Sequence, residues 1–155
     1  MMTKSAARDF RYALAAGALC AGLALSAAAG AVDLITEDEA RLPAAPKVLT
    51  RGGITRGPSI KVVSPSPDGQ IKAPFAMKVD FQPHGGSKID ASSVKVTYLR
   101  KPAVDLTQRL KSAISESGIS LTDAHVPAGS HDLKIDVTDA EGRTKSETVS
   151  FTVIK

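Results

Sequence analysis

Tryptophan is absent, and aromatic residues make up only 4% of the 155-residue chain. Beyond residue 31 only Phe75, Phe81, Phe151 and Tyr98 remain. Nucleic-acid grooves and many sugar-binding faces stack their ligands on aromatic rings, so this shortage counts against both partners. Cysteine is nearly absent too. The single Cys20 cannot form an internal disulfide, and it lies inside an apolar run near the start of the chain. The triplet before it, Gly17-Ala18-Leu19, has the wrong order for a lipid-attachment signal. If that run is removed, the rest carries no thiol, which excludes disulfides, thiolate nucleophiles and Cys-ligated metals. Catalytic signatures are also missing. No serine sits in a G-x-S-x-G turn. Arg51-Gly52-Gly53-Ile54 lacks the Lys-Ser/Thr end of a phosphate-binding loop. His84-Gly85-Gly86 has no nucleophile elbow to accompany it and reads as a turn. No pair of carboxylates stands apart from the surface charges. The expectation is a protein that is not an enzyme and needs no cofactor.

The first 31 residues are a targeting signal by their pattern. Lys4, Arg8 and Arg11 give a positive start, and Tyr12 to Leu25 is an almost unbroken apolar run. The small residues Ser26-Ala27-Ala28-Ala29-Gly30-Ala31 follow. These are the three parts of a secretory signal peptide. The run is shorter than the roughly 20 apolar residues that a permanent span needs. Cuts after Ala29 or Ala31 both fit an A-x-A pattern, and the one after Ala31 is preferred. The expected location is periplasmic or secreted, with no permanent membrane span once the signal is cleaved. The formal charge of +4 belongs to the whole chain. From Val32 onward there are 17 basic and 15 acidic residues, a balance of +2 with the signs interspersed. Such a surface gives no reason to expect an anionic partner.

Residues 32–58 read as a flexible tail or linker. Acids cluster in Glu37-Asp38-Glu39, bases follow at Arg41, Lys47, Arg51 and Arg56, and prolines and glycines interrupt regular structure. A short helix fits within 33–42. From Ser59 the pattern changes to short runs with a period of two, which places alternate side chains on opposite faces of an extended chain. Ile60 and Val62 begin it. Phe75, Met77, Val79 and Phe81 alternate with Ala76, Lys78, Asp80 and Gln82. Val94, Val96 and Tyr98 follow, then Ile119 and Leu121, Leu133, Ile135 and Val137, and last Val149, Phe151 and Val153. Turn clusters at 64–69 and 83–86 separate the first runs.

One segment, 104–114, breaks the rhythm. Its apolar residues Leu106, Leu110, Ala113 and Ile114 suit one or two helical turns, and Asp105 with Gln108 has capping-box spacing. This reads as a short helix crossing from one sheet to the other. A parallel α/β sheet needs long helices between strands, and only this short candidate exists. The expected fold is therefore all-β, a two-sheet sandwich of about seven strands over residues 59–155.

The last third resembles the end of bacterial immunoglobulin-like domains. Val126-Pro127-Ala128-Gly129-Ser130-His131 is similar to their Pro-x-Gly-x-(Tyr or His) corner. Asp139-Ala140-Glu141-Gly142-Arg143 matches their Asp-x-x-Gly hairpin, and Phe151-Thr152-Val153 their final strand. Val63-Ser64-Pro65 with Gly69 and the run at Phe75 is similar to their start. The resemblance covers about 59–155. It implies the fold, and it implies a spacer, stalk or recognition module of exported proteins, with an unidentified protein partner in the cell envelope.

Candidate metal ligands fall at two places. His125 and His131 flank the proline-glycine corner and could pair with Asp123 or Asp132, but two histidines without a firm third ligand fall short of the usual set. Asp136, Asp139 and Glu141 edge a turn, but calcium takes about six to eight oxygens. The resemblance places His131 where such domains put a corner residue that bonds nearby backbone. The N-terminal His or Met/His cluster of periplasmic copper-binding sandwiches is missing, since Met77 lies on an apolar face. No metal or nucleic acid is expected. The competing reading is a ligand-binding domain for a metal ion or a glycan, acting at the His125/His131 corner or near Tyr98.

Overall fold

The computed structural model describes residues 32–46 and 56–155. The expected signal segment and its cleavage site lie outside these residues. The elements are β1 (Val32–Asp33), α1 (Glu37–Ala40), β2 (Ser59–Ser64), β3 (Gln70–Lys72), β4 (Phe75–Gln82), β5 (Lys95–Tyr98), β6 (Val104–Asp105), α2 (Thr107–Leu110), β7 (Ile114–Ser115), β8 (Gly118–His125), β9 (Gly129–Thr138) and β10 (Thr144–Ile154). The strands form two sheets. One runs β1-β8-β4-β2 with β7 also on β8, and the other runs β3-β10-β9-β5-β6. Pairing is antiparallel except for β1 on β8 and β3 on β10.

The period of two in the sequence decides which faces meet. Phe75, Met77, Val79 and Phe81 on β4 are buried, while Ala76, Lys78 and Gln82 between and after them are exposed. On β9 and β10 the buried set is His131, Leu133, Ile135 and Val137 with Val149, Phe151 and Val153. Phe75 of one sheet meets Phe151 of the other edge to face, with ring centroids 5.6 Å apart. That contact lies between the layers of a two-sheet sandwich, the all-β fold expected from the sequence. Burying each such side chain is worth roughly 1.5–3 kcal/mol, so the fold rests on this alternation.

The crossover falls where the sequence placed it. It leaves β6 in the second sheet and reaches β7 in the first. Its helix has the expected length, one α turn at 107–110 followed by a 3-10 turn at Lys111–Ala113. Leu106 and Leu110 anchor it with no exposed surface. The expected capping box does not form. Instead the Asp105 carboxylate accepts from the amide of Thr107 at 2.8 Å, two residues on, because the chain is still extended at Asp105.

The reading of 32–58 as a flexible tail is corrected for residues 32–46. Val32 and Asp33 pair with Ala124 and His125, so this segment supplies a strand to the first sheet. Leu34 is fully buried and Ile35 retains 2% exposure. At its other end, Lys101 donates to the carbonyl of Pro43 at 2.9 Å, and Ala45 donates to that of Leu99 at 3.2 Å. The segment is a strap across one end of the sandwich, tied to both sheets. Charge and proline content suggested a spacer, but the two adjacent apolar residues outweigh them once a groove exists to receive them.

Candidate functional site

His131 is the most constrained of the candidate residues. It opens the inward face of β9, opposite Phe151. Its Nε2 lies 2.8 Å from the carbonyl oxygen of Pro127 and its Nδ1 lies 2.8 Å from the hydroxyl of Tyr98. A carbonyl can only accept, so Nε2 carries the proton. Nδ1 is then the acceptor, and Tyr98 donates to it. The neutral tautomer is thus set by two fixed partners. Burial pushes the imidazole below its ordinary pKa, against the opposing effect of the bond to Pro127. Burial likewise raises the Tyr98 phenol. The Arg100 guanidinium stacks over the Tyr98 ring, 4.9 Å from its centroid, and donates to the carbonyl of Ser130 at 2.7 Å. This arrangement ties β5 to the corner before β9. It is the corner role that the resemblance assigned to His131.

Asp139 and Asp136 are also held by partners of the fold. Asp139 has a side chain with no exposed surface. Its Oδ1 accepts from the amides of Glu141 and Arg143 at 3.0 and 2.9 Å, and its Oδ2 accepts from Arg143 Nε at 2.7 Å. Burial opposes its ionisation, yet these bonds and the Arg143 charge hold the carboxyl below its usual range. The Asp-x-x-Gly turn is therefore closed by its own aspartate, with Gly142 at φ +77°. Asp136 points outward and is held by the Ser146 hydroxyl and by Lys134 Nζ at 2.9 Å. Among the described residues no three His, Cys, Asp or Glu side chains converge to hold a metal.

His125 and His131 do not come together. His125 ends β8 in the first sheet and is exposed, whereas His131 is buried in the second. The possibility of ligand binding near Tyr98 is corrected as well: the ring is fully buried, so no sugar can stack on it.

Sequence reasoning missed the groups around His125. The strap turns at Thr36, where a capping box forms: the Glu39 carboxylate accepts from the Thr36 amide at 2.9 Å, and the Thr36 hydroxyl accepts from the Glu39 amide at 3.3 Å. The box aims Glu39 at Arg109 on α2. The two make paired bonds of 2.7 Å each, and Arg109 also donates to the carbonyl of Leu34 at 2.9 Å. The Arg109 bonds hold the Glu39 carboxyl down at about 2, despite partial burial. The spacing Thr36-x-x-Glu39 is the local signal of this box, and it was not read from the sequence. Nothing local, however, pointed from it to Arg109, which is 70 residues away. Between the strap and the β8–β9 corner lies an open cleft of about 360 Å³, lined by Asp33, Ile35, Thr36, Glu37, His125 and Pro127 among others. In it, exposed polar groups of the strap and a histidine meet.

No protein-family model matches the chain. No curated protein matches it. Several solved structures overlap with it at low identity. CopC from Methylosinus trichosporium OB3b is 17% identical over 61% of this chain and 93% of that one, with a TM-score of 0.42. An endo-beta-1,4-mannanase from Thermotoga petrophila is 13% identical over 64% of this chain and 20% of that one, with a TM-score of 0.43. Fibronectin(III)-like modules of Clostridium thermocellum CbhA are 12% identical over 62% of this chain and 46% of that one, with a TM-score of 0.38. Among the described residues no helix is long and apolar enough to cross a membrane.

Proposed function

We propose that this chain is a non-enzymatic, immunoglobulin-like module of an exported protein that works by contacting another protein in the periplasm or cell envelope. The observation that carries this reading is how the buried imidazole and the buried carboxylate among the described residues are used. His131 and Asp139 both spend their hydrogen-bonding capacity on the fold, one pinning a corner and the other closing a turn. A catalytic base or nucleophile needs a free atom facing substrate. The surface open to a partner comprises the exposed loop Pro83 to Lys88, the crossover with Gln108, Lys111 and Ser112 turned outward, and the strap. The signal-like first 31 residues support export.

The test is photo-cross-linking in intact cells, with a reactive residue at Glu37, Ser87 or Lys111. One envelope protein captured repeatedly from at least one position is expected. Background-level capture from all three positions, with the chain folded and exported, overturns the reading.

A further inference from the structure

The strap behaves as a peptide seated in a groove. It shares with the sandwich a strand pairing, two buried apolar side chains, a paired ion pair and two further backbone bonds at its far end. None of these contacts depends on the strap belonging to the same chain as the groove. By sequence, nine residues (47–55) connect Pro46 to Arg56. Ten Cα–Cα steps span roughly 35 Å when extended, enough to reach beyond a small domain's own end.

From this geometry we infer that the groove between the end of β8 and the crossover is an exchangeable docking site, and that it accepts the 32–46 segment of a second copy of this chain. The exchanged dimer has the contacts of the closed monomer, made reciprocally. The balance between them is then set by concentration alone. A connection of this length holds its segment at an effective concentration on the order of millimolar. Closed monomer therefore dominates at micromolar concentration, and exchange approaches half near millimolar. The sequence of the strap supplies the recognition: an apolar pair, Leu34-Ile35, then Thr36-x-x-Glu39 to present a carboxylate to Arg109.

Disulfide trapping reads this directly. Asp33 and His125 are register partners on adjacent strands, and Ala44 bridges Arg100 at the other end of the strap. Adjacent strands lie about 4.8 Å apart, within the Cα separations a disulfide bridges. In the full chain with Cys20→Ser, the pair Asp33→Cys/His125→Cys is oxidised after two differently tagged copies are unfolded and refolded together. Links within one chain are expected at 10 µM; exchanged dimers should hold roughly a tenth of the chains near 0.1 mM and about half near 1 mM, and with equal amounts of the two tags about half of those dimers carry both. Ala44→Cys/Arg100→Cys reads the same exchange from the far end and serves if the first variant does not fold. Links confined to single chains at every concentration overturn the inference. So does a ladder of higher oligomers in place of a closed dimer. Neither result bears on the partner-binding reading, whose test is cross-linking in cells.

Discussion

The hydroxyl of Tyr98 donates to Nδ1 of His131 at 2.8 Å, joining β5 to the start of β9 inside the core. Because Nε2 donates to Pro127 at the same time, a second proton on the ring would face a hydroxyl that already donates. The native fold therefore favours the neutral imidazole, and the unfolded chain does not.

Acidification is accordingly expected to destabilise the domain in a defined window. The folded pKa of His131 lies below its ordinary value of 6.5. Between the two, the unfolded chain binds a proton that the folded one refuses, so stability is complete above pH 6.5 and falls as pH drops below it. Urea midpoints measured from pH 8 to pH 5 should decline, and the decline should flatten in His131→Phe. That variant should also lose about 1–3 kcal/mol at pH 8 for each buried group left unpaired. An equal slope in both proteins would remove His131 as the cause.

Val79 and Ile135 have no exposed surface and lie on the inner faces of opposite sheets. Val79→Asp or Ile135→Asp buries an unpaired carboxylate, and each should leave the domain unfolded at 25 °C. Far-ultraviolet circular dichroism decides it. A cooperative melt at the wild-type temperature in either variant would refute the core assignment.

The strap yields a contrast between two substitutions. Leu34→Ala should cost about 2–4 kcal/mol, as for a buried leucine, whereas a spacer residue would cost almost nothing. Glu39→Gln should cost about 1–2 kcal/mol, because the pair with Arg109 is paired and only partly exposed. The Glu39 carboxyl is depressed from 4.5 to about 2. Its contribution is thus fully present above pH 4.5 and fades as pH falls towards 2. Denaturant midpoints of the single variants and of Glu39→Gln/Arg109→Gln check both the size and the coupling.

Gly118 begins β8 where the backbone of β4 passes closest. A Cβ there would lie 2.0 Å from the carbonyl oxygen of Val79, and the φ of +151° disfavours any side chain. Gly118→Ala should therefore lower the melting temperature by more than 10 °C, roughly what a loss of 2–3 kcal/mol produces in a domain of this size. A shift of under 2 °C would show that the strands can separate at little cost.

The alternation of apolar and polar residues was enough to place β4, β5, β9 and β10 and the face each turns inward. It works because side-chain direction in a strand is a local property of the backbone. The turn chemistry of Asp139 was legible because its partner Arg143 lies four residues on; the corner position of His131, bonded to Pro127, came from the resemblance to immunoglobulin-like domains and not from the local pattern. The capping of the crossover was not legible, because Asp105 is held extended by its pairing with Thr97 and so bonds the amide of Thr107 instead of forming a capping box.

What the residues decided by themselves is the layered fold and the self-closing Asp139 turn, since both follow from near-neighbour stereochemistry. Only the tertiary structure decided that Leu34 and Ile35 belong to the core, that Tyr98 completes His131, and that Glu39 meets Arg109. Each of those contacts joins residues 33 or more apart or depends on a groove that exists only after both sheets have formed. No periodicity in a short window carries information about such a groove.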